Sequence, residues 1–361
     1  MKIAIVAAMQ RSRLTFAHSK MTRLTRGIFL AIAAICTARC GAAQDVPLIS
    51  GGIGFFTRTS GGNTTYFPYI KPVVAVPLGS HVLIEGRGTF VEFVSPHPQI
   101  GYRTSSFKTA DYLQADVIAG PHLTMVGGEF LTPFGTYNER LTQIWNQTLQ
   151  DFPLIYSLGN MNTGTSVGGM LRGSAVSTQH LSLSYTGYYS ANITNQYFAA
   201  ERSSGGRGSL YLPEHGLELG ASYGRSLGAS HENFEGLHVW WEPIQSPFKF
   251  RSEYGHAPNA QGYWFETDYR LSHLGGADSA FGRLEPVFRM QQTFRDKPDS
   301  NDGLPSVNTS EADFGLDYHL PHEVRINTSY ARQLASTGNS NIWETAVVYR
   351  FLFPAWKKKG H

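Results

Sequence analysis

The residues of this chain whose types could do chemistry are few and scattered. Gly164-Thr-Ser166-Val-Gly168 and Gly224-Arg-Ser226-Leu-Gly228 both fit the G-x-S-x-G pattern of an activated serine, a pattern that works only on a strand–turn–helix elbow. No helix-period sequence follows either serine, and two matches in a Gly/Ser-rich chain carry little weight. The 13 histidines are dispersed. His81, His122, His215 and His322 fall at expected turns, and no H-E-x-x-H pair occurs. Asp296, Asp299 and Asp302 crowd one stretch beside Gly303, in an order unlike an EF-hand loop, and read as a solvated acidic loop. Glu139 and Arg140 are a different case, two opposite charges inside an aromatic-rich stretch. They could be a catalytic pair, or, more plainly, charges that set a transverse field across a narrow aqueous gap. No catalytic residue, metal ligand or cofactor is assigned.

The stretch that must position Glu139 and Arg140 runs from Leu123 to Asn160. Leu123 to Phe130 is strand-like and ends at Pro133-Phe134-Gly135. Leu141, Ile144, Trp145, Thr148 and Leu149 then recur at helical spacing. Thr136, three residues before Glu139, predicts a capping box, and Pro153 predicts a stop. A long loop with its own helix is unusual between strands. Its Trp, Phe, Leu and Ile content predicts that it folds back onto something.

Around this stretch the chain alternates with period two, apolar against polar. Val82, Ile84, Gly86 and Phe90 oppose Glu85, Arg87 and Thr89; Phe248 and Phe250 oppose Lys249, Arg251 and Glu253; Trp343, Val347 and Tyr349 oppose Glu344, Ala346 and Arg350. Tight connections such as Pro213–Gly216 and Ile244–Pro247 interleave with longer polar ones around Ser95–Thr109, Asn192–Gly205, Asp296–Ser310 and Ala335–Ser340. Mid-strand charges fit a water-filled lumen, and aromatics such as Tyr66, Phe67, Trp240 and Trp241 fit interfacial girdles. Backbone groups in lipid need partners, so a spanning sheet must close on itself. The expectation is an all-β protein, a transmembrane antiparallel β-barrel of about 16 strands. A secreted soluble jelly roll or propeller is the competing architecture.

Composition agrees. Charged residues make up 16% of the chain, against about 25% in soluble domains. Residues 1–43 read as a signal peptide, with Arg23 and Arg26 ahead of the apolar run Gly27–Ala38 and cleavage near Ala43. Met21 is an alternative start, and Arg39 beside Cys40 fits a lipobox poorly. Both cysteines, Cys36 and Cys40, lie in that segment, so a mature chain carries no disulfide. It also holds seven basic residues and no acid, so its removal takes the formal charge from +3 to about −4. The basic balance therefore gives no support to a nucleic-acid partner.

The stretch Gly127-Gly-Glu-Phe-Leu-Thr-Pro133-Phe134-Gly135 resembles the strand end that opens the third loop in the phosphate-selective porin (O/P) family of Gram-negative outer membranes. The resemblance implies a passive channel in the cell outer membrane, contacting lipid and lipopolysaccharide, commonly a homotrimer. It implies that residues 132–160 are an extracellular constriction loop folded into the lumen, within a barrel expected over 44–354. The basic tail at 355–361, expected in the periplasm, departs from the family's ending at the last aromatic. Glu139, Arg140 and Trp145 are the expected constriction residues. Glu85, Arg87, Lys71, Arg172, Arg251, Arg289, Arg325 and Arg350 are the expected pore lining. Arg140 is the only basic residue from Thr132 to Asn160, where phosphate-selective members carry many. Inward acids such as Asp116, Glu266, Asp268 and Asp313 balance the cations, which predicts weak selectivity for small solutes and ions. An outer-membrane hydrolase or a plugged adhesin barrel is the alternative.

Overall fold

The computed structural model describes residues 46–156, 164–191, 202–228, 231–297 and 304–355. The expected signal peptide and the lysines of the basic tail lie outside the described residues. Sixteen strands follow one another around a closed antiparallel sheet. They are β1 (Leu48–Ser60), β2 (Asn63–Leu78), β3 (Val82–His97), β4 (Gly101–Gly120), β5 (Leu123–Leu131), β6 (Thr165–Ser177), β7 (Ser182–Ala191) and β8 (Ser203–Leu212). The second half continues with β9 (Leu217–Ser226), β10 (Asn233–Trp241), β11 (Phe248–Ala257), β12 (Ala260–Tyr269), β13 (Leu284–Arg295), β14 (Thr309–Leu320), β15 (Val324–Ala335) and β16 (Ser340–Pro354). Pairing of β1 with β16, from Leu48 opposite Pro354 to Ser60 opposite Ile342, closes the cylinder. Closure leaves no edge, which is the condition for a sheet in hydrocarbon.

Alternation decides what each wall faces. Ile53, Phe55, Phe90, Leu237, Phe314 and Val347 lie exposed on the outer face. Their strand neighbours Arg87, His238, Asp313 and Glu344 are buried inside. One bulge adjusts this pattern: the register between β3 and β4 shifts between Arg87 and Gly88. An extra residue flips the face of everything beyond it. The inward set on β4 thus changes from Phe107 and Asp111 to Gln114 and Asp116.

Two expectations about connections fail. Ser95–Thr109 is not a polar loop; β3 and β4 run on to His97 and Gly101 as a long hairpin. The contrast of short turns with long loops is also weaker than expected. Gly61-Gly62 and Pro258-Asn259 are tight connections on the loop side, while 270–283, carrying the short helix Ser272–Gly275, sits on the turn side with the termini. Strand length, not loop length, carries the barrel signal here. Ala355 closes the turn-side rim by donating its N–H to the Pro47 carbonyl at 2.7 Å.

Candidate functional site: the third loop and the passage it leaves

The connection between β5 and β6, residues 132–164, is hereafter L3. Thr132 holds its neck, with Oγ1 2.7 Å from the Ser166 Oγ and its N–H donating to the Gly164 carbonyl at 3.0 Å. That contact places Ser166 within β6, buried and away from any elbow. Asn138 Nδ2 donates to the Thr132 carbonyl at 3.1 Å and bridges both ends of the neck. Gly135 turns the chain at φ +61°, where a Cβ would meet the Glu253 carboxylate and the Tyr156 hydroxyl. Only glycine takes this position without strain.

The expected capping box does not form. The helix is one turn, Tyr137–Arg140, hereafter α1, and Thr136 makes no side-chain cap bond within it. The barrel wall caps it instead. Glu253 on β11 accepts from the N–H groups of Thr136 and Tyr137, from the Thr136 hydroxyl and from the Tyr156 hydroxyl. A buried carboxylate is satisfied by this many donors, and two of them are N–H groups of the kind a helix N-terminus leaves unpaired. The helical spacing from Leu141 to Leu149 becomes a chain of turns. These side chains face different walls, so a single helical stripe could not serve them. Leu141 joins Phe134, Tyr137, Ile155 and Tyr156 against Trp264, Phe234 and Ala260. Ile144 and Trp145 pack with Phe56 near β1 and β16. Each fully buried apolar side chain of this size contributes roughly 1.5–3 kcal/mol. Burial also pushes the Tyr137 hydroxyl well above the usual tyrosine range, so it stays protonated.

A dense charge network underlies L3 on the β8–β15 wall. Arg251 donates to Glu266 and Asp268, both at 2.8 Å. Arg289 donates to Glu266 through Nη2 at 2.6 Å and to the Asp151 carbonyl of L3 at 2.7 Å. Thr148 adds its hydroxyl to Glu266 at 2.7 Å. Arg325 donates to the carbonyls of Ile144 and Gln147. Two of the cations expected to line a pore, Arg289 and Arg325, thus hold the loop directly, and Arg251 acts on it only through Glu266.

The expected constriction pair is also engaged with this wall. Glu139 pairs with Arg207 on β8 at 2.6 Å. Arg140 pairs with Glu218 on β9 at 2.9 Å and lies over the Trp240 ring at 5.1 Å. Their ion-pair partners are thus Arg207 and Glu218 rather than Arg87, Glu85, Arg325 or Arg350. Arg350 sits half exposed at the turn-side rim, 3.8 Å from Glu323. Arg172 pairs with Asp116 on β4. Trp145 packs beside Gly52, where a Cβ would come within 2.6 Å of Ile144.

The open space lies on the other side of L3. A cavity of about 390 Å³ separates the loop from β1–β4. Lys71 and Arg87 line it, with Asp111 between them: Arg87 Nε lies 2.7 Å and Lys71 Nζ 3.6 Å from Oδ2. Lys71 also donates to the Thr142 carbonyl at 2.6 Å, a direct polar tie from L3 to this wall. Arg58 lines the far end and pairs with Asp151 and Glu344. Sequence reasoning missed Asp111, Glu253, Glu218 and Arg207 as members of the site. Alternation marked Glu253 as inward, but nothing local identified its partner Thr136, which lies 117 residues away.

No family model and no curated protein sequence matches the chain. Among solved structures the barrel is similar to OmpF of Salmonella typhi, crystallised with daunomycin, with a TM-score of 0.57 and 11% identity over 84% of this chain and 97% of that one. It is similar to an anion-selective porin from Comamonas acidovorans, with a TM-score of 0.53 and 8% identity over 85% of this chain and all of that one. A loop-deleted OmpT, an outer membrane protein of Vibrio cholerae, also scores 0.53, at 8% identity over 86% of this chain. At these identities the likeness establishes the architecture, the closed barrel of outer-membrane porins.

Proposed function

We propose that this chain is an outer-membrane porin through which small hydrophilic solutes and ions diffuse passively. The observation that carries this reading is the partial filling of the lumen. L3 makes most of its bonds to the β8–β15 wall, while the β1–β4 wall, tied to it through Lys71 and Arg58, stands off across a cavity lined by charged groups. An adhesin plug would close both sides. A hydrolase would need a nucleophile beside a base, whereas Ser166 is buried against Thr132. The fold likeness to an anion-selective porin supports the same class.

Of the expected pore lining, we assign Lys71 and Arg87 to the aperture, and Glu85, Arg172 and Arg350 to its turn-side mouth. Three cations and three carboxylates bound the cavity (Arg58, Lys71 and Arg87 against Asp111, Asp151 and Glu344). That balance favours weak ionic selectivity over a phosphate-specific filter. Export through the segment 1–43, contact with lipid and lipopolysaccharide at the apolar outer face, and a homotrimeric assembly complete the reading. Planar-bilayer recording of the refolded, signal-free protein under a salt gradient tests it. Stable ohmic steps with a small reversal potential are expected. A folded, heat-modifiable protein that gives no steps would sink the channel.

A further inference from the structure

The cavity beside L3 is an unusual surface for a passage that carries only hydrated ions. Phe67 and Phe93 meet edge to face at 5.3 Å, and Phe56 and Tyr69 do so at 5.7 Å; all four rings line the cavity. Phe107 and Phe152 add to the same lining. Such faces return nothing to a simple anion for the water it sheds, but they match a flat apolar solute.

The charges are unevenly placed within this space. Lys71 and Arg87 share one carboxylate, Asp111, which leaves that end with an excess positive charge. Arg87 is 4% exposed, and its Nη1 has no hydrogen-bond partner among the described residues. Its guanidinium lies over the Tyr112 ring at 5.1 Å. The other end has the opposite balance, since Arg58 meets both Asp151 and Glu344. An anion entering the cavity is therefore drawn to the Lys71/Arg87 end, with the rings along its path.

We propose that this cavity is a selective subsite for a small carboxylate with a flat aromatic body. The carboxylate takes charge-assisted hydrogen bonds from Arg87 and Lys71, and the ring lies against Phe67 and Phe93. This proposal rests on the channel reading above. The bidentate geometry of a guanidinium suits a carboxylate, and each ring contact adds a discrimination that a plain anion cannot collect.

The test is single-channel recording of the refolded, signal-free protein in potassium chloride, with benzoate, acetate or benzyl alcohol added. Benzoate is expected to reduce the current at a concentration about tenfold below that of acetate, with benzyl alcohol still weaker. Arg87→Met should raise the half-blocking benzoate concentration about tenfold. Asp111→Asn, which removes the competing carboxylate and keeps its shape, should lower it. Phe93→Leu should narrow the gap between benzoate and acetate. Equal block by benzoate and acetate, or by benzoate and benzyl alcohol, would overturn the subsite while leaving the channel standing. Absence of any conducting steps would remove both.

Discussion

The two halves of the barrel interior use the same residue types for opposite ends. On the β8–β15 side, arginines and carboxylates lie under L3 and are consumed by one another and by the loop: Arg251 and Arg289 both reach Glu266, and Arg289 continues to the Asp151 carbonyl. On the β1–β4 side, Lys71, Arg87 and Asp111 face a cavity, and Lys71 is a direct polar tie to L3. Charge inside a barrel is thus not evidence of a pore by itself. What distinguishes the halves is whether a segment with its own hydrogen-bonding needs lies on top. Glu253 illustrates the filled half, because its carboxylate replaces the cap that α1 lacks.

This contrast can be broken at its strongest point first. Glu253→Ala removes the acceptor for two N–H groups and two hydroxyls. At roughly 1–3 kcal/mol for each buried group left unpaired, L3 should detach from its wall. Noisy, enlarged conductance and faster protease cleavage within 132–156 are expected; unchanged conductance would mean that L3 does not bound the passage. Arg289→Met comes next. It strips Glu266 of one of two arginines, and breaking a buried pair costs about 3–5 kcal/mol. The variant should lose its heat-modifiable gel shift at lower temperature, whereas Arg289→Met combined with Glu266→Gln should recover much of it.

Gly52→Val should have an intermediate effect. A Cβ there collides with the Ile144 side chain at 2.6 Å, so the β1 contact must yield, and the folded barrel should lose about 1–3 kcal/mol, the cost of overpacking, read as an earlier loss of the heat-modifiable gel shift. Arg140→Ala should do least, and Glu139→Gln, whose pair with Arg207 is less exposed, slightly more. Arg140 keeps over a third of its side chain exposed in its pair with Glu218, and such pairs are worth about 0.2–1 kcal/mol. Reversal potential should barely move. A large shift would restore the pair to the constriction and reverse the assignment of the two halves.

The architecture was legible from the chain because a strand's two faces are set by the residues themselves. Period two and the mid-strand charges pointed to a closed barrel of about 16 strands, and Pro133-Phe134-Gly135 to a long loop that folds back; the sheet contains sixteen strands with L3 following β5. The helical spacing after Leu141 misled, since helical period describes only how side chains would point if one partner surface received them all. In the folded protein Leu141, Ile144 and Thr148 address Trp264, Phe56 and Glu266 in turn.

What the sequence alone determined, then, was orientation: which side chains point inward and which meet lipid, because alternation is a property of the backbone. Which inward charges remain available was a tertiary matter. Glu139 and Arg140 are adjacent to each other in the chain, yet their partners Arg207 and Glu218 come from strands 68 and 78 residues away. Lys71 and Arg87 stay at the cavity because L3, bound by Glu253 and the Arg289 network, leans to the far wall. Coulombic pairing depends on distance in space, and closing the barrel is what sets those distances.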